Sequence, residues 1–194
     1  MKKRVHVLLL TYRVLGVFIA VTLLLLSVFA VSFYVVKKRY PLEYKEQVLR
    51  YAEVFNLEPA LVFSVIKTES DFRVNAKSNK GAIGLMQIKE QTAKYIAERI
   101  GVKEYDLYTA ETNIHFGCYY IRYLIDKFND VETALVAYNA GEGKVKEGLK
   151  QEEYSSDGIK LNNAPYRESK NYLRKIKKTF AKYEKLYGKI LDKR

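Results

Sequence analysis

The chain has 194 residues, of which 34 are basic and 22 acidic, for a net charge of +12. One cysteine and two histidines exclude an internal disulfide and any zinc site at ordinary ligand spacing, so neither a structural metal nor a cofactor is expected. All 22 acidic residues lie beyond Tyr40, whereas seven of the basic ones precede it, which divides the chain into an apolar basic leader and a 155-residue remainder large enough for one core.

Residues 1–13 form a short basic segment carrying Lys2, Lys3, Arg4 and Arg13, with His6 as a flanking residue. From Val14 to Val36 the chain runs 23 residues without a charge, roughly 34 Å as a helix, enough to span a bilayer. Val28 and Ala30 also fit a signal-cleavage pattern, but the chain continues as VSFYVV and not as a polar segment. This favours a single-pass anchor over 14–36; the alternative is a cleaved signal peptide and a secreted domain. Basic residues flank both ends, so charge does not set the orientation. A linker is expected over 37–43, a helical domain over 44–188, and a basic tail over 189–194.

Within the domain, Tyr44, Val48, Tyr51, Ala52 and Phe55 recur at steps of three and four, the mark of a helix with one buried face. Pro59 then suits the first position of a second helix running to Glu69. Further helices are expected over EQTAKYIAERI, stopped by Gly101, and NIHFGCYYIRYLIDKF, with Cys118 as a core residue and His115 on its surface or packed. Another lies between Asp130 and Gly141, and a long one from Tyr166 is stopped by Gly188. KGAIGLMQI allows a turn with a small hairpin, and 150–164 is the one long loop. The fold class is therefore all-α with at most a small β-hairpin.

Glu69 follows Val62 by seven and Val65 by four, so it shares their inward face. Burial disfavours the carboxylate and raises its pKa, which suits a general acid at neutral pH. Asp71, two residues on, points elsewhere and makes a poor partner.

Four stretches occur in order: ES at 69–70, GAIGLMQI at 81–88, ALVAYNAGEGKV at 134–145 and PYRESKNYLRKI at 165–176. Together they resemble the motifs of the SLT-type lytic transglycosylases, family 1, and the helix carrying Asn113, Gly117 and Tyr120 resembles that family's Asn-x-x-x-Gly-x-x-Tyr helix. The likeness covers about Val48 to Lys178. It implies a lysozyme-like fold whose cleft holds peptidoglycan. It also implies cleavage of the β-1,4 bond between N-acetylmuramic acid and N-acetylglucosamine, with the muramyl 6-hydroxyl closing a 1,6-anhydro ring in place of water.

On this resemblance Glu69 is the one catalytic acid and then the base, and Ser70 fixes its carboxyl or a sugar substituent. Tyr138 stabilises positive charge on the sugar. Met86, Gln87 and Asn139 face the substrate, and in the late motif Tyr166 binds substrate and Glu168 is a hydrogen-bonding cleft residue. The chain departs from the family pattern at Val74 and Glu90, where proline is usual, and at Ser169 and Lys170, where Thr-Arg is usual; the first two put loop shape in doubt more than chemistry.

From Tyr166 onward there are eleven basic and three acidic residues. That excess is either a solvated helix face or an attraction to anionic lipids or wall polymers. Expected partners are thus glycan strands and the cytoplasmic membrane, with the domain on its outer side, and nucleic acid is not among them. The alternatives are a hydrolytic lysozyme-type muramidase and a non-catalytic glycan-binding scaffold.

Overall fold

The computed structural model describes the backbone of residues 2–191 and the side chains of residues 12–191. His6, most of the basic leader and the end of the tail, residues 192–194, lie outside the described side chains. The chain forms two units, Met1–Pro41 and Leu42–Arg194. The first is one helix, α1 (Lys2–Arg39). Its stretch Tyr12–Arg39, 28 residues of mean hydropathy 2.9, is long and apolar enough to cross a membrane, and none of it is buried. The helix outruns the apolar segment because Lys37, Lys38 and Arg39 are good helix formers, and their charges suit its C-terminal end.

The second unit is all-α apart from one hairpin. In chain order it comprises α2 (Lys45–Val54), α3 (Pro59–Glu69), β1 (Ala82–Ile83), β2 (Ile88–Lys89), α4 (Glu90–Ile100), α5 (Ala110–Phe128), α6 (Val131–Ala140), α7 (Glu142–Gly148) and α8 (Arg167–Leu191). The strands are antiparallel, with Ala82 opposite Lys89 and Ile83 opposite Ile88. Local chemistry sets the helix starts. Thr109 Oγ1 accepts the Thr112 N–H at 3.3 Å, and Asp130 Oδ1 accepts the Thr133 N–H at 2.7 Å. In this unit the structure departs from expectation at three places: α5 starts at Ala110 and not at Asn113, α7 had no forecast, and α8 runs through Gly188, which is buried inside it.

The centre of the unit is α3, in which every residue from Pro59 to Ile66 is buried. A helix apolar all round belongs inside a protein, and each fully buried Val, Ile or Phe contributes roughly 1.5–3 kcal/mol. α8 lies along α3, where the Phe63 and Tyr183 rings stack at 5.3 Å. On the other side α5 meets the hairpin in an interlock of four residues. Asn113, fully buried, accepts the Met86 N–H at 2.7 Å and donates to the carbonyls of Ile83 at 3.0 Å and Leu107 at 2.8 Å. A Cβ on Gly84 would come 2.1 Å from the Asn113 amide nitrogen, and one on Gly117 would come 2.2 Å from the Met86 sulfur. Only glycine fits at either place, so the hairpin seats on α5 in a single way.

Candidate active site

Helix α3 ends at Glu69 because the chain reverses immediately afterwards. Asp71 and Phe72 both adopt left-handed conformations, with φ of 54° and 63°. Asp71 tolerates that region, but Phe72 is strained there, and such strain persists only where packing enforces it. Phe72 is buried, with its ring 6.3 Å from Phe63, and Asp71 is ion-paired with Lys67 one turn back. Ser70 is buried, and its hydroxyl donates to the Leu85 carbonyl at 2.8 Å and the Ile66 carbonyl at 3.2 Å. It therefore ties the end of α3 to the hairpin. With its one proton committed to backbone carbonyls, the hydroxyl has only lone pairs to offer the Glu69 carboxyl or a sugar substituent.

The reversal leaves Glu69 on the wall of a cavity of about 280 Å³, also lined by Gln87, Tyr120, Tyr138, Asn139 and Glu168. Burial pushes the Glu69 carboxyl up from 4.5 to about 7, and the Tyr172 hydroxyl beside it offsets part of that rise. Tyr172 sits on α8, 7% exposed, and its hydroxyl has no hydrogen-bond partner of normal geometry among the described residues. On the other flank the Tyr138 hydroxyl donates to the Met86 carbonyl at 2.6 Å. Burial first, and then the Glu69 charge, hold both tyrosines well above their ordinary pKa, so both stay neutral. Near neutral pH the carboxyl is thus about half protonated between two phenols.

The remaining candidate residues fall into three groups. Met86 is placed otherwise than expected: it is fully buried against Gly117, so it fills core and does not face the cavity. Gln87 reaches the cavity from a left-handed backbone, φ 54°, and its amide nitrogen donates to the carbonyls of Gly84 and Ala76, leaving the oxygen as its free group. Asn139 accepts a bond from Ser169 at 3.2 Å, Glu168 is exposed beside Lys80 at 3.4 Å, and Tyr166 is 38% exposed in an adjoining cavity. Tyr172, which sequence reasoning passed over, sets its hydroxyl against the Glu69 carboxyl from α8. Its position within PYRESKNYLRKI was the one available signal.

Replacing Tyr172 with phenylalanine is expected to raise the Glu69 pKa by removing a donor that favours the carboxylate. The alkaline limb of the activity profile then moves to higher pH. An unchanged limb in a pH–rate titration would show that the phenol does not act on the acid.

A mainly helical unit with a protonatable glutamate at the end of its central helix, opening on a polar cleft, is a lysozyme-like domain. Comparison with known proteins narrows the class: residues 46–161 match the family described as Transglycosylase SLT domain. The chain belongs to that family. The soluble lytic murein transglycosylase of Salmonella typhimurium is 29% identical over 158 residues, covering 78% of this chain and 24% of that protein. The membrane-bound lytic murein transglycosylase C of Actinobacillus pleuropneumoniae is 30% identical over 167 residues, covering 73% of this chain and 46% of the relative. The chain thus spans about a quarter to a half of the length of these relatives. Among solved structures, lytic transglycosylase Slt from Pseudomonas aeruginosa, an inactive glutamate-to-glutamine mutant, superposes with a TM-score of 0.67 at 27% identity, covering 77% of this chain and 25% of that one.

Proposed function

We propose that the chain is a membrane-tethered lytic transglycosylase that cuts the β-1,4 bond between N-acetylmuramic acid and N-acetylglucosamine in peptidoglycan. The observation that carries this reading is the Glu69 carboxyl, raised to about 7 by burial at the cleft wall. In that state it gives its proton to the departing glycosidic oxygen, and the bond to the muramyl anomeric carbon breaks. The muramyl 6-hydroxyl attacks the same carbon, the Glu69 carboxylate takes the hydroxyl proton, and a 1,6-anhydro ring closes with no water consumed. An internal hydroxyl acts at an effective concentration of about 10⁵ M or more, far above that of water, so a second carboxylate to hold a water is unnecessary.

Tyr138 complements this chemistry. Its proton is committed to the Met86 carbonyl, so its oxygen offers only lone pairs to a sugar that is gaining positive charge. Asn139 and the free oxygen of Gln87 suit the N-acetyl amides. The inactive glutamate-to-glutamine mutant of the Pseudomonas relative supports assigning the acid role to a glutamate.

Because the substrate lies outside the cytoplasmic membrane, α1 would be the anchor and the second unit would lie on the outer side. The basic side chains of α8 are all exposed, which favours attraction to anionic lipids or wall polymers. The test is digestion of purified peptidoglycan by the detergent-solubilised full chain, with mass spectrometry of the fragments. Fragments lighter by one water than the hydrolytic products are expected; reducing ends would identify a hydrolase, and binding without fragments a scaffold.

A further inference from the structure

We propose that the cavity beside the cleft, where the hairpin, α7 and the start of α8 meet, binds the carboxylates of the peptide stems carried by the glycan strand, with Lys89 and Lys144 as its principal cationic contacts. This rests on the glycan reading above. The cavity, about 380 Å³, shares Lys80, Lys89, Asn139 and Glu168 with the cleft and adds Lys144 and Tyr166. Three ammonium groups therefore face one carboxylate, and that carboxylate, Glu168, is already beside Lys80 at 3.4 Å. Lys89 and Lys144 have no ion-pair partner among the described residues. The Lys144 ammonium stands 4.8 Å from the centre of the Tyr166 ring, which holds it at the cavity wall.

Uncharged N-acetyl sugars offer such cations hydrogen-bond acceptors but no countercharge. The hydroxyls and amides of the sugars are matched by Gln87, Tyr138 and Asn139, which line the other wall. On a stem-bearing strand the lactyl carboxyl is locked in an amide, so the anions sit on the peptide. The stem branches from the muramyl ring, and the lysine cavity adjoins the cleft through the shared residues Lys80, Lys89, Asn139 and Glu168. Lysine suits this task better than arginine would: it is a point charge on a flexible stem, able to meet carboxylates whose position varies with the peptide.

The experiment uses the full chain in detergent, with and without Lys89→Ala and Lys144→Ala together, on three soluble strands. One carries native stems, one carries stems whose carboxyls have been amidated with carbodiimide and ammonia, and one has had its stems removed by an amidase. Affinity is measured in a Glu69→Gln background, and fragment release in the native one. Amidation and the double substitution are each expected to weaken binding about tenfold, the effect of two partly exposed ion pairs. Applied together they should weaken it no further, and at about 1 M salt the difference should vanish, since screening then acts over about 3 Å. Stripped strands should bind like amidated ones.

Equal binding of native and amidated strands, or an amidation effect that persists in the double variant, would overturn the proposal. Native-strength binding of stripped strands would reassign the site to the lactyl carboxylate and overturn it equally. Amidation-sensitive binding with no fragments from any strand would instead remove the transglycosylase reading and leave the carboxylate site standing.

Discussion

Replacing Glu69 with glutamine is expected to lower fragment release by about 10³-fold or more, at the upper end of what a positioned general acid supplies, because the same residue serves both proton transfers. The amide keeps the shape of the side chain, so strand binding should persist. Stability should move the other way. The folded pKa of about 7 lies above the ordinary value of 4.5, so the folded state binds this proton more tightly than the unfolded state does. The resulting stability is fully present below pH 4.5, is lost as pH rises through 7, and is absent beyond it. The cost of ionising the buried group is at most roughly 3 kcal/mol, and glutamine escapes it. Thermal melts at pH 8 should therefore show the inactive variant to be the more stable protein, and melts near pH 4 should show no such gain. A variant that cuts at full rate, or that loses stability at pH 8, would remove Glu69 from the role assigned to it.

How far the sequence foretold this arrangement varies with the distance over which each feature is decided. Helix starts were legible where Pro59 and Asp130 act on their own first turns, whereas the Thr109 cap, which starts α5 at Ala110 and not at Asn113, was passed over. The inward face of Glu69 was legible because Val62 and Val65 share its helix. Gly188 misled: a glycine costs a helix interior about 1 kcal/mol, which reads as a stop, but Tyr187 and Leu191 on either side are buried and their packing outweighs it. Met86 misled for the opposite reason. Its motif neighbours line the cleft, whereas its own side chain is the filler between the hairpin and α5. Tyr172 and the lysine cavity were beyond local reading, since each depends on where α8 comes to rest against α3 or the hairpin, and no spacing within one segment encodes that.

The same dependence on long-range seating makes Asn113 a vulnerable structural position. Its amide is fully buried with one acceptor and two donor bonds satisfied, all to backbone groups of other segments. Asn113→Asp keeps the shape and the bond from the Met86 N–H, but it turns a second acceptor oxygen toward the carbonyls of Ile83 and Leu107. The buried Leu107 carbonyl and the part-buried Ile83 carbonyl lose their donor and face a negative charge, at a cost of about 3 kcal/mol, each unsatisfied group contributing about 1–3. The aspartate can recover one bond by taking up a proton, so the loss should be smallest at low pH and grow as pH rises. Activity should fall further than stability alone accounts for. The hairpin that Asn113 seats also carries Gln87, the Leu85 carbonyl that holds Ser70, and the Met86 carbonyl that holds Tyr138, so these supports of the Glu69 site shift with it. Melts of the variant between pH 5 and 8, read beside fragment release at a temperature where it remains folded, separate the two effects. A variant as stable as the parent at pH 8 would mean that the hairpin is held by something other than this amide.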